Sequence, residues 1–283
     1  MEIIIGKTAG FCFGVSNAVT KTQEILKQKE NVYCLGELVH NKQVTESLIE
    51  KGIKFIDNIE EAKEKVIIRA HGVAKQVYEI AEKSGTKIID LTCPKVLHIH
   101  NIAEEYAKNN HFIFLTGEAK HPEMLGTISF CGESYFVIEN EEQVNTAIEK
   151  FKKSNKKKAL IISQTTYSLE KFQNIVETIK KNIPLEKIEI KNTICNATKQ
   201  RQEETEEMAK QVETMIIIGG KHSSNTNKLY ELAKKHCKNV LFIETEKEIK
   251  EKEIKNNSMI GIMAGASTPE DSIKKVVEKL KKI

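Results

Sequence analysis

The sequence predicts an α/β protein made of three similar lobes, each a small, mainly parallel four-stranded sheet with flanking helices. Short β-rich segments alternate with helical patterns from end to end, which is typical of parallel sheets. Four of these segments lie between Cys12 and Cys93, and four lie between Cys93 and Cys195. Three more follow Cys195, so the N-terminal segment EIII can complete the last set. We therefore expect lobes at residues 14–93, 94–191 and 192–283, the last completed by residues 1–13.

Each segment is predicted as a strand because it is a short run of mainly β-branched and aromatic residues between polar or glycine-containing stretches. In chain order the segments are EIII, VYCL, KFI, VIIRA, KIID, FIFL, YFVI, ALIIS, IEIK, MIIIG, VLFIE and MIGIM. A helical pattern begins near Val15, after the first segment. An amphipathic basic helix follows the last segment, and Pro269 is expected at its first helical position. We expect this helix to pack on its own lobe.

Composition and charge exclude several classes of protein. The net charge is only +4, there is no tryptophan, and no basic block carries interleaved aromatic residues, so nucleic-acid binding has little support. The longest apolar runs are far too short to span a bilayer, and the chain enters a strand at once without a signal peptide. We therefore expect a cytoplasmic protein with neither a membrane nor a nucleic-acid partner.

Three cysteines occupy one structural position, the turn between the end of a strand and the start of a helix. They are Cys12 in AGFCFGV, Cys93 in KIIDLTCPKV and Cys195 in IEIKNTIC. Glycines beside Cys12 allow a sharp turn, and a helix N-terminus favours an anionic sulfur ligand. No CxxC pair occurs, which argues against a zinc ribbon or a thioredoxin-type motif. The other cysteines, Cys34, Cys131 and Cys237, are interpreted as buried thiols.

Three cysteines of this kind suit a metal better than a redox disulfide, which needs two. Soft sulfur ligands select zinc, copper(I) or an iron–sulfur cluster. A [4Fe-4S] cluster normally takes four cysteines, so three would leave one iron with an open position that could act as a Lewis acid.

Polar residues follow the strands at the end where parallel sheets bind ligands. Hydroxyl-rich helix starts after strands also suit an anionic phosphate. In isolation, a histidine at a strand end is more often structural, and SSN or AST before a helix is an ordinary cap. Together they favour an iron–sulfur enzyme for a phosphorylated small molecule, with Glu123 as proton source. The residues are His40, His71, His121, Glu123, Thr165, Ser223, Ser224, Asn225 and Ser267.

Nine stretches in order resemble the 4-hydroxy-3-methylbut-2-enyl diphosphate reductase family of the non-mevalonate isoprenoid pathway. They are AGFCFGV, GELVHN, RAHGV, LTCPKV, KHPE, SQTT, TICNAT, SSNTNKL and AGAS. The resemblance covers nearly the whole chain and implies a trefoil of three lobes around a central iron–sulfur cluster. It also implies a reductive dehydroxylation, in which two electrons and two protons remove the allylic hydroxyl as water. The products would be isopentenyl and dimethylallyl diphosphates.

Carried over residue by residue, the resemblance implies three kinds of role. Cys12, Cys93 and Cys195 match the ligands of one [4Fe-4S] cluster with an open iron site, where the substrate hydroxyl would lie. Glu123 matches the proton donor, with Thr165 close to that hydroxyl. The other substrate contacts, mainly around the diphosphate, are His40, His71, His121, Ser223, Ser224, Asn225 and Ser267. Reduced ferredoxin or flavodoxin would be the natural electron donor.

Two other classes stay open on the residues alone. A cluster-bearing dehydratase, or a protein similar to quinolinate synthase, also uses three cysteines and an open iron but needs no external electrons. A non-catalytic sensor of a phosphorylated ligand could hold zinc on the same cysteines. Dependence on a reductant would distinguish the reductase from the dehydratase, and metal analysis would distinguish it from the zinc-binding sensor.

Overall fold

Three four-stranded sheets form the framework of the protein, as predicted from the sequence. The computed structural model describes residues 1–28, 32–254 and 259–283. Every strand pairing within this described part is parallel. The strands are β1 Glu2–Ile5, β2 Tyr33–Leu35, β3 Lys54–Ile56, β4 Lys65–Ile68, β5 Lys87–Asp90, β6 Phe112–Thr116, β7 Tyr135–Ile138, β8 Ala159–Ser163, β9 Ile188–Ile190, β10 Thr214–Ile218, β11 Asn239–Ile243 and β12 Met259–Ala264.

Helices connect the strands, as parallel pairing requires. They are α1 Phe13–Leu26, α2 Lys42–Glu50, α3 Lys75–Ser84, α4 Pro94–Lys108, α5 Pro122–Ile128, α6 Val144–Lys153, α7 Leu169–Asn182, α8 Asn196–Ala209, α9 Ser224–His236, α10 Glu251–Ile254 and α11 Glu270–Leu280. The first helix starts two residues before the predicted Val15. The last starts at Glu270 with Pro269 as its N-cap, so the expectation of Pro269 at the first helical position was wrong.

All three sheets share one strand order. Sheet I runs β3-β2-β4-β5, sheet II runs β7-β6-β8-β9, and sheet III runs β11-β10-β12-β1. If the strands of each sheet are numbered 1 to 4 along the chain, their order in space is 2-1-3-4. In sheet III the N-terminal β1 occupies the position of strand 4. The prediction that EIII completes the last set is therefore confirmed.

Sheets II and III are buried between helices on both faces, which explains why their central strands read as continuous apolar runs. In sheet II, Phe114 and Ile161 pack with α6 and α7 on one face. On the other face, Ile113 and Leu160 pack with α4 and α5. The same arrangement holds in sheet III, where α8 and α9 cover one face and α11 covers the other. The helix α11 thus packs on its own sheet, as expected.

The chain forms two compact units. The first unit comprises Met1–Ser16, Val39–Leu48 and Asn196–Ile283 and contains sheet III. The second unit comprises Asn17–Leu38 and Ile49–Cys195 and contains sheets I and II. The division into three lobes at residues 14–93, 94–191 and 192–283 stays a prediction.

No helix in the described ranges is long and apolar enough to cross a membrane. The longest, α4, has 15 residues, whereas a spanning helix needs about 20. Many of its residues are also polar, in keeping with a helix that covers a sheet.

Candidate functional site

The polar residues singled out from the sequence follow equivalent strands of the three sheets. First strands lead to His40, to His121 with Glu123, and to the segment Ser223–Asn225. Third strands lead to His71, Thr165 and Ser267, and fourth strands lead to Cys93, Cys195 and Cys12. In a 2-1-3-4 order, the connections leave the sheet in opposite directions from strands 1 and 3, and ligands bind in the crevice that this creates. Histidine, carboxylate and hydroxyl groups therefore stand where the topology opens a binding site in each sheet.

Glu123 and Thr165 form a buried pair in the second unit. The helix α5 begins at Pro122, so Glu123 lies in its first turn, and it is only 1% exposed. The backbone N–H of Thr165 donates to Oε1 of Glu123 over 2.6 Å, and the Thr165 hydroxyl donates to Oε2 over 2.5 Å. The two bonds fix the plane of the carboxyl group. They also put a hydroxyl, which can both donate and accept, directly against it.

Two histidine rings are linked to this pair, His121 through a hydrogen bond and His71 through its contact with the ring of His121. His121 is the N-cap of α5, and its Nδ1 accepts the backbone N–H of Glu123 over 3.1 Å. In the neutral ring the proton must then sit on Nε2, which becomes a hydrogen-bond donor. The ring of His71 meets that of His121 edge-on, with centroids 5.4 Å apart. The second unit thus brings together His71, His121, Glu123 and Thr165.

A third histidine, His100, was missed in the sequence and packs against Gly72, the residue that follows His71. Gly72 has φ +73°, and a Cβ there would lie 2.9 Å from Cε1 of His100, so only glycine fits between His71 and the ring. His100 is 2% exposed and stacks on Phe130 with centroids 4.5 Å apart. Burial lowers the pKa of His100 to about 4, although the charge of Asp90 opposes the shift, so the ring is neutral at physiological pH. The sequence did not mark His100 as a candidate site residue because it lies in the middle of α4 and not after a strand.

The three cysteines at strand ends share one backbone contact. The N–H of Cys93 donates to the carbonyl of Ala70, and that of Cys195 donates to the carbonyl of Thr165, each over 3.0 Å. The N–H of Cys12 donates to the carbonyl of Ala266 over 3.1 Å. Each acceptor lies just beyond the third strand of the corresponding sheet. These bonds hold each of the three cysteines next to a polar residue that follows the third strand of the same sheet: His71, Thr165 or Ser267.

The six cysteines fall into two chemical classes. Cys12, Cys93 and Cys195 are half-buried thiols, accessible to a ligand. The other three are buried, and their thiols donate to backbone carbonyls, for example that of Cys34 to Gly36 and that of Cys131 to Thr127. Burial raises the pKa of Cys34 and that of Cys131 to about 12, which keeps both protonated. Only the half-buried set fits a soft metal or an iron–sulfur cluster.

The start of α9, in the first unit, has the features of an anion site. Ser223 is the N-cap, and its hydroxyl oxygen accepts the N–H of Thr226 over 3.3 Å. The ammonium of Lys228, one turn later, donates to the hydroxyl oxygen of Ser224 over 2.5 Å. Asn225 is 4% exposed, yet neither atom of its amide has a hydrogen-bond partner among the described residues. A buried amide in this state calls for a ligand or an ordered water. Lys228 was missed in the sequence, although its spacing of four from Ser224 in SSNTNK places the two residues on one face of a helix.

His40 and Ser267 meet through the backbone in the same unit. The Ser267 hydroxyl donates to the carbonyl of His40 over 3.0 Å. A Cβ at Gly220 would lie 2.8 Å from the same carbonyl oxygen, so glycine is required for this approach. The segment that carries His40 is therefore held against the ends of β10 and β12. Ser267 must exchange this bond, or act as an acceptor, if it contacts a ligand.

Comparison with known proteins gives a consistent result over the whole chain. Residues 3–281 match the family model described as LytB protein. A protein of Caldanaerobacter subterraneus subsp. tengcongensis is 41% identical over 289 residues, covering 100% of this chain and 98% of the relative. One from Clostridioides difficile is 40% identical and covers 98% of each chain. Both relatives are named 4-hydroxy-3-methylbut-2-enyl diphosphate reductase.

Two solved structures are similar as well. One, described as the terminal enzyme of the non-mevalonate pathway and a reductase of (E)-4-hydroxy-3-methyl-but-2-enyl diphosphate, has a TM-score of 0.72. It is 38% identical and covers 100% of both chains. The other is the E-1-hydroxy-2-methyl-but-2-enyl-4-diphosphate reductase of Plasmodium falciparum, with a TM-score of 0.89 and 30% identity. It covers 98% of this chain and 87% of that one.

Proposed function

We propose that this chain, which belongs to the LytB protein family, is an oxidoreductase that reduces (E)-4-hydroxy-3-methylbut-2-enyl diphosphate in isoprenoid biosynthesis. The reaction breaks the allylic C–O bond, consumes two electrons and two protons, and releases water with isopentenyl and dimethylallyl diphosphates. The electrons come from an external one-electron donor, for which reduced ferredoxin or flavodoxin is the natural candidate. The observation that carries the proposal is the buried pair formed by Glu123 and Thr165.

Glu123 is proposed as the proton donor. A carboxyl group that is 1% exposed exchanges protons with bulk water only through its neighbours, and its Oε2 is bonded to the Thr165 hydroxyl. When Glu123 is protonated, this hydroxyl can accept from the carboxyl group and donate onward. Proton transfer by a positioned side chain contributes about 10²–10⁴-fold to a rate. Thr165 then orients Glu123 and can pass its proton to the hydroxyl group that leaves the substrate.

The diphosphate is assigned to residues that can donate hydrogen bonds or carry positive charge. In the first unit, the cap hydroxyls of Ser223 and Ser224 and the amide of Asn225 stand at the positive end of the α9 dipole. Lys228 adds a full positive charge on Ser224. The remaining contacts to the diphosphate are assigned to three imidazole groups and one hydroxyl, those of His40, His71, His121 and Ser267.

We assign one [4Fe-4S] cluster to Cys12, Cys93 and Cys195. Their half-buried thiols and shared backbone contact support this assignment. When bound, the cluster would supply electrons and, through an iron not ligated by the protein, Lewis acidity towards the substrate. The protein side chains bind the diphosphate, orient the leaving hydroxyl and hold the proton at Glu123.

The proposal is tested on protein purified without oxygen. We expect about four irons and four sulfides per chain, a cluster spectrum that changes on addition of the diphosphate substrate, and turnover only with a reductant. Zinc in place of iron would favour the sensor, and turnover without electrons would favour the dehydratase. A cluster spectrum indifferent to the substrate would contradict the assigned chemistry.

Substitution of His71 by alanine is expected to raise KM for the diphosphate at least about tenfold, because a hydrogen bond to a charged group contributes about 1.5–3 kcal/mol. Iron content should be unchanged, since His71 is not among the proposed ligands. Steady-state kinetics and iron analysis of the same preparation check both statements. His236→Ala is the matched control, because His236 lies at the far end of α9 and pairs with Glu206 at the surface. Loss of the cluster in His71→Ala would show that the histidine supports the metal centre instead.

A further inference from the structure

Two charged side chains of α8 hold the turn that leads from β1 to Cys12. Glu204 accepts the backbone N–H of Lys7 on Oε1 over 2.6 Å. Its Oε2 accepts both the N–H and the hydroxyl of Thr8, over 2.9 and 2.5 Å. Burial by itself raises the pKa of Glu204, but these hydrogen bonds outweigh it and hold the pKa below its ordinary value. A charged carboxylate thus binds the first half of the turn.

Arg201, one turn earlier on α8, binds the second half. Its guanidinium is buried, with the residue 3% exposed, and Nη2 donates to the carbonyl of Gly10 over 2.6 Å. Nη1 donates to the carbonyl of Ala197 in the first turn of α8 over 3.2 Å. The carbonyl of Gly10 can take this direction because Gly10 has φ +100°. One side chain therefore connects the Cys12 turn with the helix start that follows Cys195 in the chain.

The Cys12 turn needs this support more than its two counterparts. Cys93 comes three residues after the end of its strand and Cys195 five, whereas Cys12 comes seven residues after Ile5. Each shorter connection is held by a side chain close to its cysteine: the N–H of Thr92 donates to Asp90, and Thr193 exchanges hydrogen bonds with Ser163 of β8. The Cys12 turn has backbone bonds of its own, such as that from the N–H of Ala9 to the carbonyl of Gly6 over 3.1 Å, but its side-chain support comes from α8. A longer connection has more conformational freedom to lose before a ligand atom is in place.

We infer that Glu204 and Arg201 are positioning residues that hold the sulfur of Cys12 in place for the cluster. The inference rests on the proposed role of Cys12 as a cluster ligand. Neither side chain needs to touch the metal, because both act on backbone groups two to five residues before the sulfur. In the sequence, Arg201 was notable only as one of two arginines, and nothing set Glu204 apart from the other glutamates of its helix.

The test uses Glu204→Gln, a variant that keeps the size of the side chain at a half-buried position. Its amide oxygen can still accept one bond, but its NH₂ group would face the backbone N–H groups of the turn. In the apoprotein, alkylation of Cys12 by iodoacetamide, followed by mass spectrometry, should accelerate at least about fivefold, while that of Cys93 stays unchanged. In the holoprotein, iron release to a chelator should accelerate by a similar factor.

The matched control is Glu203→Gln, on the exposed side of the same helix, where the carboxylate lies 3.8 Å from the ammonium of Lys199. It should behave as wild type in both assays. Arg201→Lys, which keeps the charge but loses the two-pronged contact, should reproduce the effect of Glu204→Gln. Unchanged alkylation of Cys12 in Glu204→Gln would overturn the inference, and so would faster alkylation with unchanged iron release. Because neither assay uses the diphosphate, failure of the proposed reaction would be seen separately, in the turnover assay.

Discussion

Substitution of Glu123 by glutamine is expected to lower kcat at least about a hundredfold while KM for the diphosphate stays nearly unchanged. Glutamine has the same shape, so its amide oxygen can accept the N–H of Thr165 and its NH₂ group can donate to the Thr165 hydroxyl. The buried pair therefore survives, and only the transferable proton is lost. Steady-state kinetics with a chemical one-electron reductant, under exclusion of oxygen, measures kcat and KM together.

Two further variants separate this effect from general damage. Glu149→Gln changes an exposed carboxylate on α6 that pairs with Lys152, and it should leave both constants unchanged. Thr165→Ser keeps the hydroxyl against Glu123 and should retain most of the turnover. Substantial activity in Glu123→Gln, with intact iron content, would remove Glu123 from the role of proton donor.

The framework of the protein could be predicted from the sequence because its central strands, such as β6, β8 and β10, are fully buried. Segments such as FIFL and ALIIS are continuous apolar runs that fit few other structures, and all twelve predicted strands are present. Helix starts were predicted less closely than strands. The helix predicted to begin near Val15 starts at Phe13, whereas Pro269 is the N-cap of α11 and not its first helical residue. A helix N-terminus depends on which residue first adopts helical backbone angles. The strand order 2-1-3-4 and the parallel direction of every strand pair could be read only from the structure of the described residues.

The site was predictable where the fold repeats. A polar residue after a strand has an ordinary local explanation, and its recurrence at the carboxyl ends of six strands made function the better interpretation. The pairing of Glu123 with Thr165 could not be seen, because the two residues are 42 positions apart and only sheet II brings them together. The same limit applies more strongly to Glu204 and Thr8, which are 196 positions apart.

Residues that act by supporting others left no local pattern. His100 lies in the middle of α4, and only the structure shows that it fills the space behind Gly72. Lys228 follows a recognisable cap motif, but its contact with Ser224 depends on the side-chain conformation. A sequence motif marks the groups that meet a ligand, whereas the groups that position them are selected by packing and can come from any element.

Single substitution of Cys12, Cys93 or Cys195 by serine is expected to lower the iron content at least about tenfold, from about four irons per chain. A cluster bound by three protein thiolates has no spare protein ligand, and a serine oxygen is a harder donor that suits iron–sulfur centres poorly. Iron and sulfide analysis of protein purified without oxygen measures the effect directly. The melting temperature of each apoprotein shows whether the fold is retained.

The chain provides its own controls in the buried cysteines. Cys131→Ser and Cys237→Ser should keep their iron, although a serine hydroxyl at these buried positions costs about 1–3 kcal/mol of stability. Both thiols donate to backbone carbonyls, Cys131 to Thr127 and Cys237 to Asn239, so neither is available to a metal without loss of that contact. The two sets of variants therefore make opposite predictions: one loses iron with the fold retained, and the other loses stability with the iron retained. Full iron content after substitution of any of the three proposed ligands would contradict the assignment of the cluster.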